Sequence, residues 1–188
     1  MTEERAAVLA AVAARIDALP RPARIAVDGV SAAGKSTFAD EIAALVAPPV
    51  VRVSMDDFHR PEAERYARGR GPESYYHDTF DLPVVRDALR RVDADAVAIV
   101  DGIFLLRPEL ADLWGLTIFL AVDRAVALER ALARDAARMG GVAAARARYA
   151  SRYVPGETLY LDTVGPESRA DVVVEHTHPG QPRLLGHL

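Results

Sequence analysis

The chain has 188 residues, 51% of them apolar, with 27 acidic and 23 basic side chains, a net charge of −4 and no cysteine. Those figures describe one globular domain with a full core. They exclude a disulfide framework, a thiol nucleophile and a cysteine-held zinc, and they argue against nucleic acid as a broad-surface partner.

No apolar run reaches the roughly 20 residues that a membrane-spanning helix needs, so no membrane partner is expected. The acidic start, Met1-Thr2-Glu3-Glu4-Arg5, lacks the basic-then-apolar layout of a secretory leader, so a cytoplasmic protein is expected. Residues 3–19 read as a helix, with Val8, Val12, Ile16 and Leu19 at helical spacing and Pro20 and Pro22 ending it. Arg24–Asp28 reads as a short buried strand. It runs into Gly29-Val30-Ser31-Ala32-Ala33-Gly34-Lys35-Ser36, which fits G-x-x-x-x-G-K-[ST], the loop that cradles nucleotide phosphates. Lys35 is the only lysine; the other 22 basic residues are arginines. It stands where a compact ammonium on a flexible stem must reach phosphate oxygens. Phe38, Ile42 and Leu45 then share a helical face up to Pro48 and Pro49.

Val50–Ser54 is a second strand, closing on Met55-Asp56-Asp57-Phe58-His59-Arg60. Residues 57–81 are polar, aromatic and rich in arginine, and are expected to form a long acceptor loop with one short helix. A helix is expected over Asp81–Val92, a third strand over Ala96–Val100 before Asp101-Gly102, and a short helix over Pro108–Trp114. Leu116–Val122 is a fourth strand. Arg124–Arg138 and Val142–Tyr153, separated by Gly140-Gly141, read as a helical lid over residues 124–153. Asp171–Glu175 is a fifth strand, and residues 177–188 read as a surface tail. Strands alternating with helices imply a three-layer α/β domain with a five-stranded parallel sheet, its ligands beyond the carboxyl ends of the strands.

The phosphate contacts expected are Gly29, Ser31, Ala32, Ala33, Gly34, Lys35, Ser36 and Thr37, with ATP and Mg²⁺ as cofactors. Ser36 and Asp101 are the candidate metal ligands, a turn aspartate before Gly102 being the alternative for Asp101. Asp56 or Asp57 can stand beside the loop as the base for an attacking hydroxyl, or cap a turn. Arg130, Arg134 and Arg138 fall on one helical face, either as lid arginines over the transferring phosphoryl group or as a solvated face. Tyr75, Tyr76, His77 and Asp78 are acceptor-pocket candidates, with packing under the loop the alternative for the tyrosines. His176 and His178 have a loose metal-like spacing without a third ligand, which favours a tail role.

Several segments together resemble the uridine kinase family, in the phosphoribulokinase/uridine kinase group. Residues 25–37 look like its P-loop. Ser54-Met-Asp-Asp-Phe-His-Arg60 is similar to S-x-D-x-F-Y-R, and Tyr76-His-Asp-Thr-Phe-Asp81 to H-P-D-A-F-D. Val100-Asp-Gly-Ile103 resembles its Walker B segment, Glu129–Asp135 its R-x-x-R-D lid, and Ala170–Val174 its last strand. The resemblance implies a P-loop kinase that phosphorylates a hydroxyl of a small molecule, typically a nucleoside such as uridine or cytidine. Asp56 falls on the family's base, Asp78 on an acid that holds the ribose, and Arg134 on a lid arginine; Lys35, Arg130 and Arg134 are expected to stabilise charge on the γ-phosphoryl group. Asp57, His59, Arg60, Tyr76 and His77 complete the expected substrate contacts. His59 stands for the usual tyrosine, Asp101 for the usual glutamate, and the hairpin that reads the base is missing. Another small alcohol, such as pantothenate or a sugar, is the alternative acceptor, and a nucleotide-binding switch or ATPase is the rival class. A homo-oligomer is compatible with the sequence.

Overall fold

The structure is a computed structural model that describes residues 1–186. Six strands form one sheet: β1 (Ala23–Asp28), β2 (Val50–Ser54), β3 (Val97–Asp101), β4 (Leu116–Ala121), β5 (Val172–Glu175) and β6 (Arg183–Leu185). Their order is β2-β3-β1-β4-β5-β6. The first five run parallel and β6 is antiparallel to β5. The expected five-stranded sheet thus gains a strand from the segment read as a surface tail. Pairing of Val174 with Leu184 covers the edge that β5 would otherwise leave open.

Helices cover both faces because the central strands are apolar on both sides. On one face lie α1 (Glu3–Asp17) and α2 (Lys35–Ala43), whose Leu9, Ile16, Phe38 and Ile42 pack on Ile25, Ile99 and Leu120. On the other lie α4 (Pro72–Asp78), α5 (Leu82–Arg90) and α8 (Val154–Val164), whose Leu89 and Tyr160 join Phe80 and Phe104 over Ala98 and Val100. Each large apolar side chain buried there contributes about 1.5–3 kcal/mol. A third cluster, Ala131, Leu132, Ala145 and Tyr149, joins α6 (Arg124–Asp135) to α7 (Val142–Arg148). Local signals set the helix starts: Asp81 caps α5 at the Val84 N–H, and Asp123 caps α6 at the Ala125 and Val126 N–H groups.

Two further expectations change. The acceptor loop carries two short helices, α3 (Glu62–Arg65) and α4, and a bridge between His59 and Phe80 closes its base. The second lid helix does not stop at Tyr153. It passes through a π-helical turn, Tyr149–Tyr153, straight into α8. Pro166–Arg169 adds a short α9 after the left-handed Gly165.

Candidate active site

The P-loop lies where β1 gives way to α2. Gly29 has φ 153°, and a Cβ there would meet the Leu120 carbonyl oxygen at 2.9 Å. Ala32 and Gly34 are also left-handed, at φ 58° and 93°. Such a run turns successive N–H groups toward one concavity, an anion nest continuous with the start of α2. Lys35 Nζ donates back to the Val30 carbonyl at 2.8 Å. The loop is braced from beneath: Asp28 is fully buried and accepts from the Gly29 N–H at 2.6 Å, the Leu106 N–H at 3.0 Å and the Tyr160 hydroxyl. Burial pushes its carboxyl pKa up. Asp28 is therefore an anchor of the loop. Two braces are not read as such from the sequence, where Glu157 is passed over and His176 is given a tail role. Glu157 accepts from the Ser31 N–H at 3.1 Å, and the His176 Nδ1–H donates to the Ala33 carbonyl at 2.8 Å.

Ser36 Oγ donates to Asp101 Oδ2 at 2.6 Å. Arg52 holds the other oxygen, Oδ1, at 2.7 Å, and is itself fixed by Asp40 and the Ile99 carbonyl. A hydroxyl and a carboxylate side by side at the loop fit Mg²⁺, a hard cation that takes one or two protein oxygens and fills its shell with phosphate oxygens and water. Among the described residues no group of three or more His, Asp or Glu side chains offers a full protein cage. The pair thus suits a metal that arrives with a phosphate ligand.

These groups open into a cleft of about 480 Å³ shared by the P-loop, the end of β2, α3 and the lid. Asp56 lines it from a 3₁₀ turn after β2, near enough to Lys35 to act on its charge. His59, Glu62, Arg65 and Tyr66 line it from the acceptor loop, and Arg134, Arg138, Arg148 and Tyr149 from the lid. Arg134 makes a two-pronged contact with Asp135, both bonds 3.0 Å, and the Tyr149 hydroxyl donates to the same carboxylate at 2.6 Å. These partners hold Asp135 well below the usual carboxylate range.

The expected site residues divide. Lys35, Ser36, Ser31, Ala32, Asp56, His59, Asp101 and Arg134 share the cleft. Gly29, Ala33 and Gly34 shape its loop through the backbone, and Thr37 is exposed in the first turn of α2. Arg130 does not face the cleft; it donates to the Thr177 carbonyl, because four residues along α6 is about 6 Å and brings it against the exit of β5. Asp57 is exposed outside the lining. Tyr76 is 5% exposed and packs on Phe104 and Tyr160 under the Arg107 guanidinium, so it is a core residue outside the cleft lining. Arg60, His77 and Asp78 line a separate depression of about 550 Å³, where Arg68 pairs with Asp78 at 2.8 Å. On α4 each residue turns about 100° from the one before it, so Tyr76 faces the core while His77 leaves on another face.

No family model matches the chain. It superposes on a structure from Bacillus stearothermophilus, described provisionally as a uridine kinase, with TM-score 0.70 and 21% identity over 90% of this chain and 96% of that one. The fold is that of the P-loop kinases. A second structure, from Silicibacter sp. TM1040 and assigned provisionally as a fructose transport system kinase, matches with TM-score 0.69 and 23% identity, covering 82% of this chain and 94% of that one. Among the described residues no helix is long and apolar enough to cross a membrane.

Proposed function

We propose that the protein is an ATP-dependent kinase that phosphorylates a hydroxyl of a small molecule. The observation that carries this reading is the meeting of Asp56 with Lys35, Ser36, Asp101 and Arg134 around one cleft. Phosphoryl transfer needs little covalent help from a protein; it needs positioned charge and a base. The acceptor oxygen attacks the γ-phosphorus, the bond from that phosphorus to the β–γ bridging oxygen breaks, and the acceptor proton passes to a carboxylate oxygen of Asp56. ADP leaves with the bridging electron pair. Lys35 releases Val30 and turns to the phosphates, while Arg134 offers its remaining N–H groups to the transferring oxygens. Ser36 and Asp101 would hold Mg²⁺, which when bound neutralises charge on the phosphates.

The resemblance makes a nucleoside the first acceptor to try. The stretch after Asp81 is helix α5, so contacts of a base-reading hairpin have no counterpart there. A fructose-type sugar, suggested by the second structural neighbour, and pantothenate belong in the same panel. The test is ADP release with ATP and Mg²⁺ across that panel. Acceptor-dependent release is expected, and Asp56→Asn should lower kcat by about 10²–10⁴-fold. ATP hydrolysis that no hydroxyl compound stimulates would point instead to a switch or accessory ATPase.

A further inference from the structure

The charges of the cleft do not cancel evenly. Arg134 and Arg138 share Asp135, Asp101 is taken by Ser36 and Arg52, and Glu62 pairs with Arg70. Lys35 rests on a carbonyl, ready for phosphate. Two further guanidinium groups line the cleft, Arg65 from α3 and Arg148 from α7, and among the described residues neither forms an ion pair. They meet around one aromatic ring. Arg148 donates to the Tyr66 hydroxyl at 3.2 Å, and the Arg65 guanidinium lies 5.6 Å from the Tyr66 ring centre. Arg65 Nε is buried with no hydrogen-bond partner. Behind them stands Arg152, 4% exposed, bonded to the Gly71 carbonyl and Ser74 Oγ and stacked against Tyr66 and Tyr75, again with no carboxylate.

Three positive groups gathered with no carboxylate paired to any of them repel one another, and an unpaired buried donor is costly. Guanidinium is also the group that best matches a carboxylate or phosphate, two parallel bonds at a time. The phosphates of ATP already have the P-loop, Lys35 and the Asp135-held arginines. We infer that the acceptor alcohol itself carries an anionic group, a carboxylate or a phosphate monoester, which seats against Arg65 and Arg148 beside Tyr66. The inference rests on the kinase reading and names the class of its acceptor. A neutral nucleoside would leave these arginines unmatched.

The experiment uses matched acceptors that differ only in the anion: pantothenate with pantothenol, glycerate with glycerol, and ribulose 5-phosphate with ribulose. ADP release is measured for each, together with calorimetric binding of the anionic member in the presence of a non-hydrolysable ATP analogue. The expected result is a kcat/KM at least tenfold higher for an anionic member than for its neutral twin. In Arg65→Met and Arg148→Met that ratio should collapse toward one, with Arg65→Lys intermediate. The carboxylate and phosphate arms identify which anion is read. A neutral member, or uridine, preferred by the wild type would overturn the inference and leave the kinase reading standing. So would variants that lower both members equally, since the arginines would then serve the γ-phosphoryl group. Calorimetric binding that both variants weaken tenfold, with no transfer from ATP to any acceptor, would support the anion subsite and overturn the kinase reading.

Discussion

His176 shows how one side chain can set the shape of a phosphate site from below. The peptide between Ala33 and Gly34 is trans, so its carbonyl and N–H point in opposite directions. By drawing the Ala33 oxygen toward itself, the His176 Nδ1–H turns the Gly34 N–H away, toward the phosphate side. The ring is neutral, because Arg5 Nη1 donates to its Nε2 at 3.1 Å. Burial, joined by the charges of Arg5 and Arg130, holds its pKa below the ordinary value of 6.5; the bond to the Ala33 carbonyl and Glu41, itself bonded to Arg5, pull the other way without reversing that. The sign follows from that depression. The folded loop binds the proton less readily than the unfolded chain, so the stabilisation is complete above pH 6.5 and is lost as pH falls below it. Affinity for MgADP in the wild type should therefore weaken between pH 7 and 5.5. His176→Phe should weaken it at all pH values by about fivefold to tenfold, the worth of one hydrogen bond of roughly 1 kcal/mol. His176→Asn, which keeps a donor near Nδ1, should recover most of that loss. Titration calorimetry checks all three. No sequence pattern links His176 to Ala33, because they stand 143 positions apart and the contact exists only once β5 lies beside β4.

At the scale of elements, the polar contacts between α6 and the segment after α7 converge on a single carboxylate. Asp135 is 4% exposed and receives Arg134, Arg138 and the Tyr149 hydroxyl, so three points of the lid converge on one charge. Its pKa lies far below the usual value of 3.8. A depressed carboxylate stabilises fully above that value and loses its contribution as pH falls through the acid range beneath it. Acid titration of the wild type should therefore release the lid before the sheet, seen as early hydrogen exchange in α6 and α7. In Asp135→Asn, exchange in those helices should already be fast at pH 7 and should depend little on pH below 4. The lid also shows where local sequence signals mislead. Val154-Pro155-Gly156 reads as a stop, yet helix runs through it. The π-helical turn ahead of Pro155 shifts the hydrogen-bond pattern so that its missing N–H does no harm. Gly156 is there for contact, since a Cβ would meet Tyr75 Cδ1 at 2.7 Å. The π-helical turn and tertiary packing against α4 thus explain, in that order, two residues that local propensity counts as breakers.

For the whole molecule, the parts legible in the sequence are those whose cause is local. The P-loop is set by glycine spacing, and the parallel strands by continuous apolar runs that both layers of helices must cover. The placement of Asp101 and Asp56 beside the loop followed from the same runs, because they stand at or just past strand ends. The acceptor half was harder to read. Its residues sit on two short helices and a lid whose faces depend on packing, so Arg60, His77 and Asp78 went to another depression while Arg65 and Arg148 came together from positions 83 apart. The use of arginine for every positive charge but one has a practical consequence across the whole surface. An acylating reagent that attacks primary amines finds a single ε-amine in the chain, at Lys35. Burial lowers the pKa of that amine, so more of it is unprotonated and nucleophilic near pH 8.5 than for an ordinary lysine. Apart from the chain terminus, an adduct seen by mass spectrometry can only report on the P-loop. Bound MgATP should erase it, and the fraction left unlabelled then measures nucleotide occupancy directly, in any variant, without an acceptor being known.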